Sequence, residues 1–128
     1  MSKTVSIDDL AAVIAEELED YRQEVADGIK KEIRTAGKQC VEELKATSPK
    51  RTGAYARSWK LQTVYEDKES VQVRVYNKDH YQLTHLLEDG HARVDGGRVE
   101  AKPHIRQAEK NAESTLKKRV RMRIDNGT

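Results

Sequence analysis

The sequence predicts an α+β fold: a long N-terminal helix, a small antiparallel sheet of three to four strands, a short middle helix and a C-terminal helix. Three observations predict it. Apolar residues recur every three or four positions up to about residue 45. The period then changes to two between Arg57 and Tyr76. A glycine-rich turn and a proline then precede a second stripe of helical period.

The first helix is expected to start near Ile7, with Ser6 as cap, Asp9 three residues on, and Val5 and Leu10 placed as a hydrophobic staple. Leu10, Ile14, Leu18, Tyr21, Val25, Ile29, Ile33, Cys40, Val41 and Leu44 then form one apolar stripe. Within the helical region 1–46, a helix from about Ile7 to Lys45 would be on the order of 60 Å long. Gly28 and Gly37 each cost about 1 kcal/mol in a helix interior, so a bend, a break or a projecting end is expected. Thr47-Ser48-Pro49 ends the helix, because the residue before proline avoids the α region. Lys50 to Ala56 reads as a loop containing Gly53.

Alternation then places Trp59, Leu61, Thr63 and Tyr65 on one face of a strand, and Val71, Val73 and Val75 on the matching face of a second. Glu66-Asp67-Lys68-Glu69 is the turn between them. A hairpin alone is marginal, so both a packed helix and further strands from Arg93–Ala101 are expected. Tyr81 to Glu88 fits a short helix better than a strand. Gly90 suits its end. Asp95-Gly96-Gly97 between Ala92-Arg93-Val94 and Arg98-Val99-Glu100 is a hairpin signal. Pro103 suits the first turn of the last helix, 103–124, whose apolar positions are Ile105, Ala108, Ala112, Leu116, Val120 and Ile124.

The 128 residues fit one domain, with 47–102 holding the loop and sheet between the two helices. Hydrophobic residues make up 36% and charged residues another 36%, with no Phe and one Trp, so a lone monomer would have a thin core. Either long exposed helices or core shared between subunits would account for this. Charge is segregated: 7 Lys+Arg against 11 Asp+Glu over 1–46, and 17 against 11 over 47–128. Such asymmetry can align subunits head to tail or turn one face toward an anion. The lone Cys40 forms no intramolecular disulfide and falls on the apolar helix side. The start has no apolar signal-peptide region, and no run reaches the roughly 18 apolar residues of a membrane span. A soluble chain made in the cytoplasm is expected.

His80, His85, His91 and His104 gather within 25 residues, beside Glu88 and Asp89, but no pair has a ligand spacing, and no metal or other cofactor is expected. Ser58 has no nucleophile-elbow context and Cys40 no nearby His, so an enzyme is not expected. Phosphate contact is better supported. Lys50, Arg51, Arg57 and Lys60 form an acid-free basic loop around Gly53, interleaved with Tyr55 and Trp59. Lys117, Lys118, Arg119, Arg121 and Arg123 crowd the last helix, where cations also suit the negative end of its dipole. Neither group belongs to a base-reading motif, so DNA contact would be to backbone alone.

Two motifs carry a family resemblance. The first is Glu88, Gly90, His91, Gly96, Gly97, Val99, Pro103, His104, Ile105 and Ala108. The second, upstream, is Pro49, Thr52, Gly53, Tyr55 and Ser58. In order, within about Ala46 to Ala108, they resemble the gp10-like small tail-component family of siphophages and prophages, also called tail-completion or head–tail joining proteins. The resemblance implies a structural virion protein at the neck or upper tail end. It would form a ring, taken as a hexamer, around the DNA path, joining connector or stopper proteins to tail-tube proteins without a membrane. It implies that His91 and His104 brace the loop. Lys50, Arg51, Arg57 and Lys60 are then expected to face DNA. Glu88, Gly90, His91, Arg93, His104, Lys117, Lys118, Arg119 and Arg121 are expected at subunit or partner contacts. The rival reading is a cytoplasmic nucleic-acid-binding or regulatory protein using the same basic loop and C-terminal helix.

Overall fold

The computed structural model describes residues 7–93 and 95–125, with the backbone alone for 7–18. The cap expected from Val5 and Ser6 lies outside these residues. Helix α1, Ile7–Thr47, is continuous over 41 residues. The expected break at Gly28 or Gly37 does not occur. Each glycine instead lies beneath a side chain from another element. A Cβ at Gly28 would lie 2.8 Å from Nη1 of Arg123, and one at Gly37 2.8 Å from Cδ1 of Leu61. Close packing offsets the roughly 1 kcal/mol that glycine costs a helix. Helix α1 stops at Thr47, ahead of Pro49, with the Ser48 N–H on the Leu44 carbonyl at 2.9 Å.

Part of the expected loop is a single helical turn, α2, Ala54–Arg57, entered through Gly53 at φ 83°. Strands β1, Trp59–Glu66, and β2, Val71–Asn77, pair antiparallel, with Trp59 opposite Asn77, Leu61 opposite Val75 and Thr63 opposite Val73. The register shifts between Thr63 and Tyr65, so Val64 is an extra, bulged residue. The expected inward Tyr65 is thereby turned out: it pairs with Gln72 and is 53% exposed. Glu66 takes the place opposite Val71 and faces Lys30 and Arg34 of α1.

Helix α3, Leu83–Asp89, follows, and then β3, His91–Ala92, pairs with β4, Arg98–Val99. The expected hairpin around Asp95-Gly96-Gly97 forms, but it does not extend the first sheet. The four strands are two separate two-stranded sheets. Helix α4, Ile105–Asp125, runs antiparallel along α1, from Ala108 beside Cys40 to Arg123 over Gly28. Pro103 lies just before this helix rather than in its first turn. Val41, Leu44, Tyr55, Trp59 and Ala108 form the core, with Leu61, Val75, Leu87 and Ile105 packed against it. The core is as thin as the composition predicts.

Candidate functional site

The glycine-rich segment is built around one carboxylate. Helix α4 begins with N–H groups that lack partners inside the helix. Glu88 supplies them from the end of α3. Its Oε1 accepts from the His104 and Ile105 N–H groups, both at 2.8 Å, and its Oε2 from that of Arg106 at 3.0 Å. Burial pushes this carboxyl's pKa up, but the three backbone donors and the His104 ring outweigh it and hold it below the usual range. Gly90 lets the chain turn directly after Asp89. Its φ is 73° and ψ 178°, a region essentially reserved for glycine, and a Cβ would meet the Val99 carbonyl at 2.6 Å.

His104 lies between this cap and the core. Its Nδ1 is 2.8 Å from the Lys102 carbonyl, which can only accept, so Nδ1 carries the proton. Nε2 then accepts from the Tyr55 hydroxyl at 2.7 Å. Burial, and secondarily the Glu88 charge, push the Tyr55 hydroxyl pKa up to about 12. Tyr55, Trp59 and His104 meet edge to face, and Trp59 Nε1 donates to Ser48 Oγ at 2.8 Å. Asn77 ties the hairpin to this cluster, donating to the Tyr55 carbonyl at 2.9 Å and accepting from the His80 N–H at 2.9 Å. Glu88 and His104, expected at subunit or partner contacts, are instead buried. His91 differs: its Nδ1 is buried without a hydrogen-bond partner among the described residues.

The opposite end of the body is held by charge. Glu32 of α1, buried, accepts from Arg119 Nε and from Arg123 Nη2 at 2.9 Å. Arg119, then Arg123, hold its carboxyl pKa below the usual range against the effect of burial. Lys30 and Arg34 hold Glu66, and Lys30 also donates to the Asp67 carbonyl. These contacts were not visible in the sequence. Arg119 and Arg123 at helical spacing were the only signal for an acid on the facing helix.

The four cations of the basic loop are exposed, and neither of the two hollows beside Gly53 is lined by all four. Lys50 and Arg51 line a cavity of about 560 Å³, joined there by His80, Lys102, Leu83, Leu87 and Tyr55. Lys50 also lines a neighbouring hollow with Arg57 and Lys45, and the Arg57 guanidinium folds over Gly53. Lys60 stands opposite Tyr76 on the sheet. Of the basic residues on α4, Arg119 is committed to Glu32 and Lys117 to Glu113 at 2.9 Å, while Lys118 and Arg121 are exposed. Arg93 is exposed beside Asp95 at 3.2 Å. Among the described residues, no group of three or more His, Cys, Asp or Glu is placed to hold a metal ion, and no helix is long and apolar enough to cross a membrane.

No curated protein and no solved structure matches the chain. One family model does, over residues 12–90, more than half of the chain; its description is "Bacteriophage HK97-gp10, putative tail-component". It spans α2, the hairpin, Glu88 and Gly90. The chain belongs to the HK97-gp10-like family of phage tail components.

Proposed function

We propose that this protein is a structural subunit of a tailed-phage or prophage virion, acting at the head–tail junction or upper tail end as a ring that joins tail to head. Its work is assembly rather than catalysis. One observation carries the reading. The chain exposes 9754 Å² for 14.6 kDa, whereas a compact monomer of that mass exposes about 6,900 Å². The difference is comparable to what large, obligate interfaces bury, roughly 2,000–5,000 Å². Connector or stopper proteins on one side and tail-tube proteins on the other are the partners this position supplies. Around a DNA path, the exposed Arg57 and Lys60 hold phosphate weakly and without sequence preference.

The test is mass photometry and electron microscopy of the purified chain, alone and with connector and tail-tube proteins. Closed rings, with six subunits expected, support the reading. A chain that stays monomeric with both partners and is missing from virions ends it.

A further inference from the structure

Helix α1 is longer than the body it organises. Its outermost hydrogen bond to another element, among the described residues, is Gln23 Nε2 on the Lys68 carbonyl at 2.7 Å. Helix α4 ends at Asp125, two residues beyond the Arg123 that lies over Gly28. Beyond these points α1 continues back to Ile7, so the arm Ile7–Asp20 is about 21 Å of helix. It contains Asp8, Asp9, Glu16, Glu17, Glu19 and Asp20 and no Lys or Arg, with Leu10, Ile14 and Leu18 at helical spacing.

The complementary surface lies at the other end of the same helix. The cavity beyond Thr47 is lined by the apolar Leu83 and Leu87 with Tyr55, and by Lys50, Arg51 and Lys102. Among the described residues, no acid lines it. Among the described residues, none of these three cations is within ion-pair distance of a carboxylate; Lys50 Nζ instead reaches the carbonyls of Ala46 and Ser48. Leu83 is 36% exposed and its neighbour Leu86 41%.

We propose that this cavity receives the acidic α1 arm of a second copy of the chain. The proposal rests on the ring reading and names the surfaces that make the ring. Three arguments select the occupant. The arm carries acidic residues and no Lys or Arg, the cavity lining carries Lys50, Arg51 and Lys102, and the two lie toward opposite ends of α1. The apolar lining residues suit the leucine and isoleucine face of an amphipathic helix, whereas a phosphate backbone would leave them uncovered. A continuous helix of 41 residues, about 60 Å, holds the arm away from its own cavity, so the occupant comes from another copy. Two different patches at opposite ends give a heterologous contact, which closes into a ring when the rotation per subunit permits. Lys50 and Arg51 then serve subunit contact, leaving Arg57 and Lys60 for DNA.

Cysteine pairing between full-length copies tests this. In a Cys40→Ser background, Ile14→Cys and Leu83→Cys chains are mixed and mildly oxidised. Disulfide-linked pairs at least tenfold above an Ile14→Cys and Met122→Cys mixture are expected. Met122 samples the basic end of α4, the competing acceptor. As a second arm, Arg51→Glu with Lys102→Glu weakens association at least tenfold, and Glu16→Lys with Glu17→Lys in the same chain restores it. Preferential linkage to position 122, or association without linkage to position 83, overturns the docking and leaves the ring reading standing. Charge-reversed chains that still associate but lose salt-sensitive binding to duplex DNA identify a phosphate site and overturn it too. A chain that never associates, alone or with connector and tail-tube proteins, removes the ring reading and the docking together.

Discussion

The two ends of the body are held by different physics. At the C-terminal end of α1, Glu88, His104, Tyr55, Trp59 and Ser48 form a buried network whose contacts are hydrogen bonds and ring edges. At the other end, Glu32 with Arg119 and Arg123, and Glu66 with Lys30 and Arg34, are ion pairs partly open to water. Buried hydrogen bonds fix geometry because an unmet donor there is costly. Partly exposed ion pairs hold charge in place more loosely and respond to salt. The difference suits a chain that offers a shaped cavity at its first end and a projecting arm beyond its second.

The largest expected effect comes from removing the central carboxylate. Glu88→Ala leaves three N–H groups at the start of α4 without partners and should cost about 3 kcal/mol. A fall in melting temperature on the order of 10 °C is the readout. An unchanged melt would show that water satisfies these N–H groups in place of the carboxylate. The same carboxylate contributes to the pH dependence. Its folded pKa is depressed, so its contribution is full above the unfolded value of about 4.3 and is lost as pH falls through the folded value. Denaturant titrations from pH 6 to pH 3 should show a shallower loss of stability for Glu88→Gln than for the wild type.

Tyr55→Phe isolates the neighbouring hydrogen bond. It keeps the ring packing and leaves His104 Nε2 unpaired in a buried site, at a cost of about 1–2 kcal/mol that is insensitive to salt. Glu32→Gln probes the other end. Arg119 and Arg123 keep partial access to water, so a loss of about 1 kcal/mol at low salt is expected. That loss should shrink toward zero in 1 M salt. Equal salt responses for the Tyr55 and Glu32 variants would erase the distinction between the two ends. The smallest effect belongs to Arg93→Ala. Its pair with Asp95 is exposed on both sides, and chemical denaturation should register less than about 0.5 kcal/mol.

Periodicity made the frame legible. The stripe ending at Leu44, the alternation around Trp59 and Val73, and Gly90 followed by Gly96-Gly97 each report a local conformation, which neighbouring residues determine. The failures have local causes as well. The bulge at Val64 adds one residue, and alternation read straight through it gives Tyr65 the wrong face. Strands β3 and β4 are two residues each, too short to reveal whether they extend another sheet. The candidate site was half legible. Lys50 and Arg51 stood out as an acid-free run, but Lys102 and His80 reach the same cavity only through the fold. Glu88 was marked by the family motif and buried by the structure, because a motif shows that a residue matters without showing which way it points.

Gly28 and Gly37 are nine residues apart, close to two and a half turns, so they open on opposite sides of α1. Arg123 of α4 crosses the first and Leu61 of the hairpin crosses the second. Together they act as a vernier. Sliding either element by one helical turn, 5.4 Å, would carry its side chain off a socket and onto a neighbouring side chain. The same pair of gaps therefore encodes where α4 and the hairpin must stop along a rod that is otherwise uniform. A side chain placed at Gly37 should displace the hairpin along α1, whereas at Gly28 the flexible end of Arg123 can swing aside.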